Sequence, residues 1–167
     1  MIDIYIIRHG DAVNLDREIS EEGFRYLSDK GRIKTEEVAA RLKNIHVHFD
    51  LILSSPLVRA VQTSEIFASV LKYEGEVKTA IELVGGNSFS KFKQLLKRYP
   101  HNKSIAFVGH APDVYHYMVS LLKHSDTTDL KVHFHNSSVC KIRYDGKDEK
   151  GKFIWFLTSD TMELIQP

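Results

Sequence analysis

Three short apolar runs, at residues 2–7, 51–53 and 104–108, restrict the possible folds of this chain most strongly. They are rich in β-branched side chains and suit strands covered on both faces. Helical patterns with clear starts lie between them. Ser28 can cap a helix to about Asn44, with Val38, Leu42 and Ile45 along one face. Ser55-Pro56 puts a cap residue before a proline, and Leu57, Ala60, Val61, Ser64, Phe67, Ala68 and Leu71 follow at helical spacing. Ser88 opens a third helix with Phe89, Phe92, Leu95 and Leu96 inward and Pro100 past its end. Ala111-Pro112 begins a fourth, carrying Val114, Tyr117, Met118, Leu121 and Leu122. Residues 138–144 and 153–157, joined by a polar turn over 145–152, read as a β-hairpin.

This order predicts a three-layer α/β/α fold whose sheet is mostly parallel, with an antiparallel hairpin at one edge. A length of 167 residues suits one domain spanning 1–167 with a substantial core. There is no repeat, low-complexity tract or linker to divide it.

Composition excludes several classes of function. Hydrophobic residues are 43% and charged residues 27% of the chain, as in ordinary globular proteins. No apolar stretch approaches the roughly 20 residues that span a bilayer. A formal net charge of +1 provides no field for nucleic acid or an anionic membrane. The chain opens on a strand-like run without a signal-peptide pattern, and its one cysteine, Cys140, has no internal partner. A reducing cytoplasm is the expected compartment, and Cys140 reads as a packed strand residue.

Three polar clusters each follow a predicted strand. They are Arg8-His9-Gly10, Ser54-Ser55-Pro56 with Arg59, and Gly109-His110-Ala111-Pro112. In an open α/β sheet, ligands bind beyond the carboxyl ends of the parallel strands. Two arginines, two histidines and at least two helix N-termini should therefore converge. Arginine forks and helix amides are the donors that phosphoryl oxygens need, and a neutral imidazole adds a nucleophile. Taken alone, each cluster has a bland reading: an incidental dipeptide, a surface arginine, a capping histidine. Together they describe a phosphate site with its own nucleophile. The pairs His46/His48 and His133/His135 resemble metal-ligand spacing, but neither has nearby cysteines or a carboxylate set.

Arg8-His9-Gly10 at the end of the first strand resembles the signature of the histidine phosphatase, or phosphoglycerate mutase-like, superfamily. The run Ser54-Ser55-Pro56-Leu57-Val58-Arg59-Ala60-Val61-Gln62-Thr63 and the segment Val108-Gly109-His110-Ala111-Pro112 resemble it in order and spacing. The chain is most similar to the short phosphohistidine phosphatases of the SixA type. It shares their opening at residues 8–12, the segment at residues 25–31, the Glu82-Leu83 pair and a terminal hairpin containing Trp155. The resemblance implies a phosphoglycerate mutase-like fold and a phosphatase in which His9 becomes phosphohistidine. Arg8, Arg59 and His110 would complete the phosphate pocket, and Arg25 would add a substrate-binding base. It implies no metal and no organic cofactor. The partner would be a phosphorylated substrate, and most naturally a histidine-phosphorylated signalling protein.

Many members carry a glutamate that protonates the leaving oxygen. Glu82 is the nearby candidate here, with Asp11 and Asp113 as further ones. The expected cycle has neutral His9 attacking phosphorus while Arg8, Arg59 and protonated His110 hold the equatorial oxygens. A small-molecule phosphomonoesterase is the alternative enzyme. A phosphohistidine-binding or metal-binding protein is the non-enzymatic one.

Overall fold

The computed structural model describes residues 1–122, 130–146 and 149–167. Its strands are β1 (Ile2–Arg8), β2 (Leu51–Ser54), β3 (Lys78–Thr79), β4 (Ser104–Gly109), β5 (Val139–Asp145), β6 (Lys150–Leu157) and β7 (Leu164–Ile165). They form one seven-stranded sheet in the order β3-β2-β4-β1-β5-β6-β7. The β3-β2-β4-β1 half is parallel. β5, β6 and β7 continue it antiparallel. The helices are α1 (Asp29–Asn44), α2 (Val58–Leu71), α3 (Phe89–Lys97) and α4 (Asp113–Leu121). None is long and apolar enough to cross a membrane, among the described residues.

Strand alternation assigns the helices to two layers. On β1, Ile4 and Ile6 pack with Phe92 and Leu95 of α3 and with Val114 and Met118 of α4. Tyr5 and Ile7 point the other way, toward Val38 and Leu42 of α1 and Ala60 and Phe67 of α2. The three-layer arrangement therefore follows from a strand that is apolar on both faces. The Trp155 ring lies edge-on to Tyr5, 5.9 Å between centroids. Cys140 is a free, buried residue of β5, and burial pushes its thiol pKa up.

This topology locates a crevice. β1 and β4 are adjacent and parallel, with Arg8 opposite Gly109. The chain leaves β1 toward the α1 layer and leaves β4 toward the α4 layer, so the two strand ends diverge onto opposite faces. Such a switch point opens a cleft that protein backbone does not fill.

Several details differ from the periodicity. α2 starts at Val58 with Leu57 as its cap residue. Ser55 Oγ instead accepts the Leu57 amide at 3.3 Å, which frees the serine to face the cleft. β3, β7 and the 3-10 turns Glu22–Phe24 and Ile81–Leu83 are too short to leave a periodic trace. Of the expected 145–152 turn, residues 147–148 lie outside the described residues.

α1 is seated against the loop after β1 by contact as well as by its cap. The Ser28 side chain accepts the Gly31 amide at 3.0 Å, and a Cβ on Gly31 would lie 2.0 Å from the Asp11 carbonyl oxygen. Gly31→Ala should therefore destabilise the protein by about 1–3 kcal/mol, as overpacking does, in spite of alanine's better helix propensity. Chemical denaturation tests this, and an unchanged or higher midpoint would contradict the close packing.

Candidate active site

His9 is the first residue beyond β1, and its backbone amide continues the ladder to the Gly109 carbonyl at 3.0 Å. His110 is the first residue beyond β4. Their rings consequently face each other across the switch point, 4.9 Å between centroids and tilted by 55°. Both are almost enclosed, at 9% and 5% exposure.

Hydrogen bonds determine the tautomer of His9. Nδ1 lies 2.7 Å from the Gly10 carbonyl, which can only accept, so Nδ1 carries the proton. Nε2 lies 3.2 Å from Arg59 Nε, which can only donate. His9 is thus a neutral imidazole with its lone pair on Nε2, directed at a guanidinium. Gly10 is held in turn. Its amide donates to Thr63 Oγ1 at 2.9 Å, and that hydroxyl donates to the Arg59 carbonyl at 2.7 Å. A side chain at position 10 would meet Thr35 Oγ1 at 2.6 Å, so this close approach requires glycine.

Arg59, in the first turn of α2, is 6% exposed. Arg8 Nη1 donates to the Phe134 carbonyl at 2.7 Å. His110 Nε2 pairs with Ser55 Oγ at 2.8 Å. Two buried polar atoms have no hydrogen-bond partner among the described residues, Arg8 Nε and His110 Nδ1. Unpartnered buried donors cost stability and call for an explanation; an anion in the cleft would satisfy both.

The electrostatics are those of a buried cationic pocket. His9 is lowered to about 4, by burial first and then by Arg59, Arg8 and Arg25. His110 is lowered to about 3, by burial first and then by His9 and Arg59. The ligand-free protein therefore holds both imidazoles neutral. Burial and the neighbouring cations outweigh the Glu22 carboxylate, which pulls the other way.

Of the expected residues, His9, Arg59 and His110 thus meet in one cluster, and the Arg8 guanidinium lies close enough for its charge to act on both rings. Arg25 lies at the cluster's edge, donating from Nε to the Val13 carbonyl at 2.7 Å and from Nη1 to Glu22 Oε1 at 3.0 Å. Glu82 is engaged elsewhere. Its carboxylate pairs with Arg98, and its own backbone amide together with that guanidinium hold its pKa below the usual range. Asp11 accepts from Ser28 Oγ at 2.6 Å and from Asn136 Nδ2 at 3.3 Å, bracing the loop. Asp113 accepts the Gly86 amide at 2.7 Å. Glu22, Ser55 and Phe134 were not foreseen as site residues. Ser55 read as a helix cap, Phe134 contributes a backbone carbonyl, and Glu22 lies in a turn without pattern.

The paired histidines have another origin. His133 and His135 flank Phe134, whose buried ring packs edge-on against Phe156 at 4.9 Å. His46 and His48 are exposed, flanking the half-buried Val47. Each pair alternates outward because the residue between faces the core. No cluster of three or more histidine, cysteine, aspartate or glutamate side chains is arranged to hold a metal, among the described residues.

Residues 4–84, which carry Arg8, His9 and Arg59, match the sequence profile of the histidine phosphatase superfamily, branch 1. The chain belongs to the histidine phosphatase superfamily. A protein of Picosynechococcus sp. of unassigned function is 36% identical over 116 residues, 68% of each chain. The phosphohistidine phosphatase SixA of Escherichia coli is 24% identical over 167 residues, 99% of each chain. Among solved structures, a protein histidine phosphatase SixA complexed with tungstate superposes with a TM-score of 0.84 at 23% identity. That match covers 97% of this chain and 100% of the other, so this superfamily fold extends beyond the profile match, through β4 and His110. Membership in this superfamily supports a phosphatase.

Two neutral buried histidines have a measurable consequence. Their folded pKa values lie below the ordinary 6.5, so on acidification the unfolded chain takes up protons first. The stability they contribute is complete above pH 6.5 and falls toward pH 4 for His9 and pH 3 for His110. Replacing both by glutamine should flatten the acid limb. Between pH 7 and pH 5 the wild type should lose about 2–4 kcal/mol more than the double variant, at ~1.4 kcal/mol per proton and pH unit. Parallel stability curves would contradict the neutral pair.

Proposed function

We propose that this phosphatase works through a phosphoryl group carried on His9 Nε2, and that its substrate is phosphohistidine on a partner protein. The observation that carries the proposal is a tautomer-locked imidazole near two buried polar atoms without hydrogen-bond partners among the described residues, namely His9 with Arg8 Nε and His110 Nδ1.

In the first displacement the Nε2 lone pair attacks phosphorus, and the leaving nitrogen or oxygen departs with the bonding electron pair. Arg59 Nε, which caps Nε2 in the ligand-free protein, transfers its hydrogen bond to a phosphoryl oxygen. Arg8 and His110 hold the other oxygens. The incoming negative charge raises the proton affinity of His110, so a ring that is neutral when empty becomes a cationic donor when filled. Water then attacks phospho-His9 and releases phosphate. Each fixed donor to the transition state is worth about 2.7–4 kcal/mol by analogy with oxyanion-hole deletions. The scheme uses no metal and no organic cofactor, and the buried thiol of Cys140 suits a reducing compartment such as the cytoplasm.

The substrate assignment rests on the acid. An alkyl phosphate needs its leaving alkoxide protonated, whereas imidazole leaves readily from phosphohistidine. The engagements of Glu82, Asp11 and Asp113 leave none of these three carboxyls as a ready proton donor to the leaving group. That favours a leaving group that does not require one. The partner is then a protein that presents a phosphorylated histidine, as in phosphoryl signalling.

Three measurements test this reading. His9→Ala should lose at least about 10³-fold in turnover while remaining folded; a variant keeping a tenth of the rate would remove His9 as nucleophile. Glu82→Gln should alter phosphohistidine turnover by less than about tenfold, since general acid catalysis is worth typically ~10²–10⁴-fold where needed. Faster turnover of metabolite esters with a large Glu82 effect would instead establish a small-molecule phosphomonoesterase. Dialysis against EDTA should leave the rate unchanged, and a loss restored by zinc or magnesium would overturn the metal-free scheme.

A further inference from the structure

Residues 13–26 form a strap beside the pocket in which no side chain is buried. Its base is closed by the Ala12–Leu27 bridge, by the Val13 amide on the Tyr26 carbonyl at 2.9 Å, and by the Leu27 amide on Gln62 Oε1 at 2.8 Å. Beyond that base, the hydrogen bonds joining strap to body among the described residues run from Arg59 to Glu22. Arg59 Nη1 donates to the Glu22 carbonyl at 2.8 Å, and Arg59 Nη2 lies 2.9 Å from Glu22 Oε1. Arg25 grips the same carboxylate from the strap itself, at 3.0 and 3.2 Å.

The pocket's donors therefore fall into two sets. Arg8 Nε and His110 Nδ1 are idle. Arg59, by contrast, has every nitrogen engaged by the protein: Nε on His9, Nη1 and Nη2 on Glu22. A phosphoryl group held by Arg59 meets a carboxylate already at Nη2 and a backbone carbonyl at Nη1.

We infer that Glu22 is an internal anion competing for the phosphoryl site, held by Arg59 and Arg25 when the pocket is empty and displaced when a phosphoryl group binds. The inference deepens the proposed function and rests on its reading of the pocket. Energetics make the displacement feasible. The Glu22 side chain is 53% exposed, and ion pairs that open to water are weak. A doubly charged phosphoryl group reaches buried donors that Glu22 does not, and binds the guanidinium fork with charge-assisted bonds. A singly charged carboxylate ligand gains nothing by exchanging with Glu22. The competition thus sets a threshold that favours phosphoryl groups over ordinary acids, which is specificity by opposing the wrong ligand. It also ties the release of the strap to occupancy of the pocket.

Calorimetric titration with inorganic phosphate at low ionic strength tests the inference on the whole chain, using wild type, Glu22→Gln, Glu22→Ala and Arg59→Ala. The Glu22 positions carry no buried packing, so these variants keep the fold. Both should bind phosphate about threefold to tenfold more tightly than wild type, with the gain shrinking as salt rises. Arg59→Ala should bind more weakly. Equal or weaker binding by the Glu22 variants, with wild type still binding, would make Glu22 a permanent brace for Arg59 and overturn the inference. Failure of the wild type to bind phosphate at all would overturn the pocket reading underneath it.

Discussion

The hydrogen bond from His9 Nδ1 to the Gly10 carbonyl is the contact on which the site's chemistry depends. It leaves the lone pair on Nε2, the nitrogen the proposed function uses as nucleophile, and does so without a carboxylate, using the next residue's own backbone. That carbonyl stays in place because Gly10 is pinned to α2 through Thr63, one turn beyond Arg59. The same few residues therefore orient the His9 imidazole and the guanidinium that faces it. Gly10 cannot carry a side chain for the same reason that Thr35 and Leu27 pack against it: the loop after β1 is squeezed between α1 and α2.

The price of this arrangement is electrostatic. Two imidazoles and an almost enclosed guanidinium lie together near Arg8, and both rings are held neutral. Two buried side-chain polar atoms go without hydrogen-bond partners among the described residues. Isolated buried charge and unmade hydrogen bonds are destabilising. The fold tolerates them at the β1–β4 switch point, where the sheet and two helix layers are otherwise apolar on both faces. In the proposed cycle an arriving phosphoryl group would convert those liabilities into bonds, concentrating binding energy where charge spreads during transfer.

Much of this was legible in the residues because strand ends mark the cleft. Arg8, His9 and His110 directly follow apolar runs, and Arg59 falls one turn into the helix after another, so the parallel topology alone brings them together. The layers were legible because β1 is apolar on both faces from Ile4 to Ile7. Other parts left no such trace. Phe134 acts through a carbonyl, which any residue possesses. Ser55 looked like a helix cap until Leu57 took that place and the serine turned to His110. Glu22 sits in an exposed turn, where charge is ordinary, and its importance comes from a tertiary partner. Glu82 had the expected position in the chain, but its partner Arg98 lies across at the end of α3, a pairing that periodicity does not reveal.

The central claim is that His9 Nε2 itself carries the phosphoryl group. Rapid acid-free quenching of the enzyme during turnover, followed by peptide mapping and phosphorus NMR, tests it directly. The account predicts an acid-labile, base-stable phosphoryl group on His9, attached at Nε2 and absent from the His9→Ala variant. Phosphate attached at Nδ1, or on His110, or a turnover that passes through no phosphoenzyme, would contradict it.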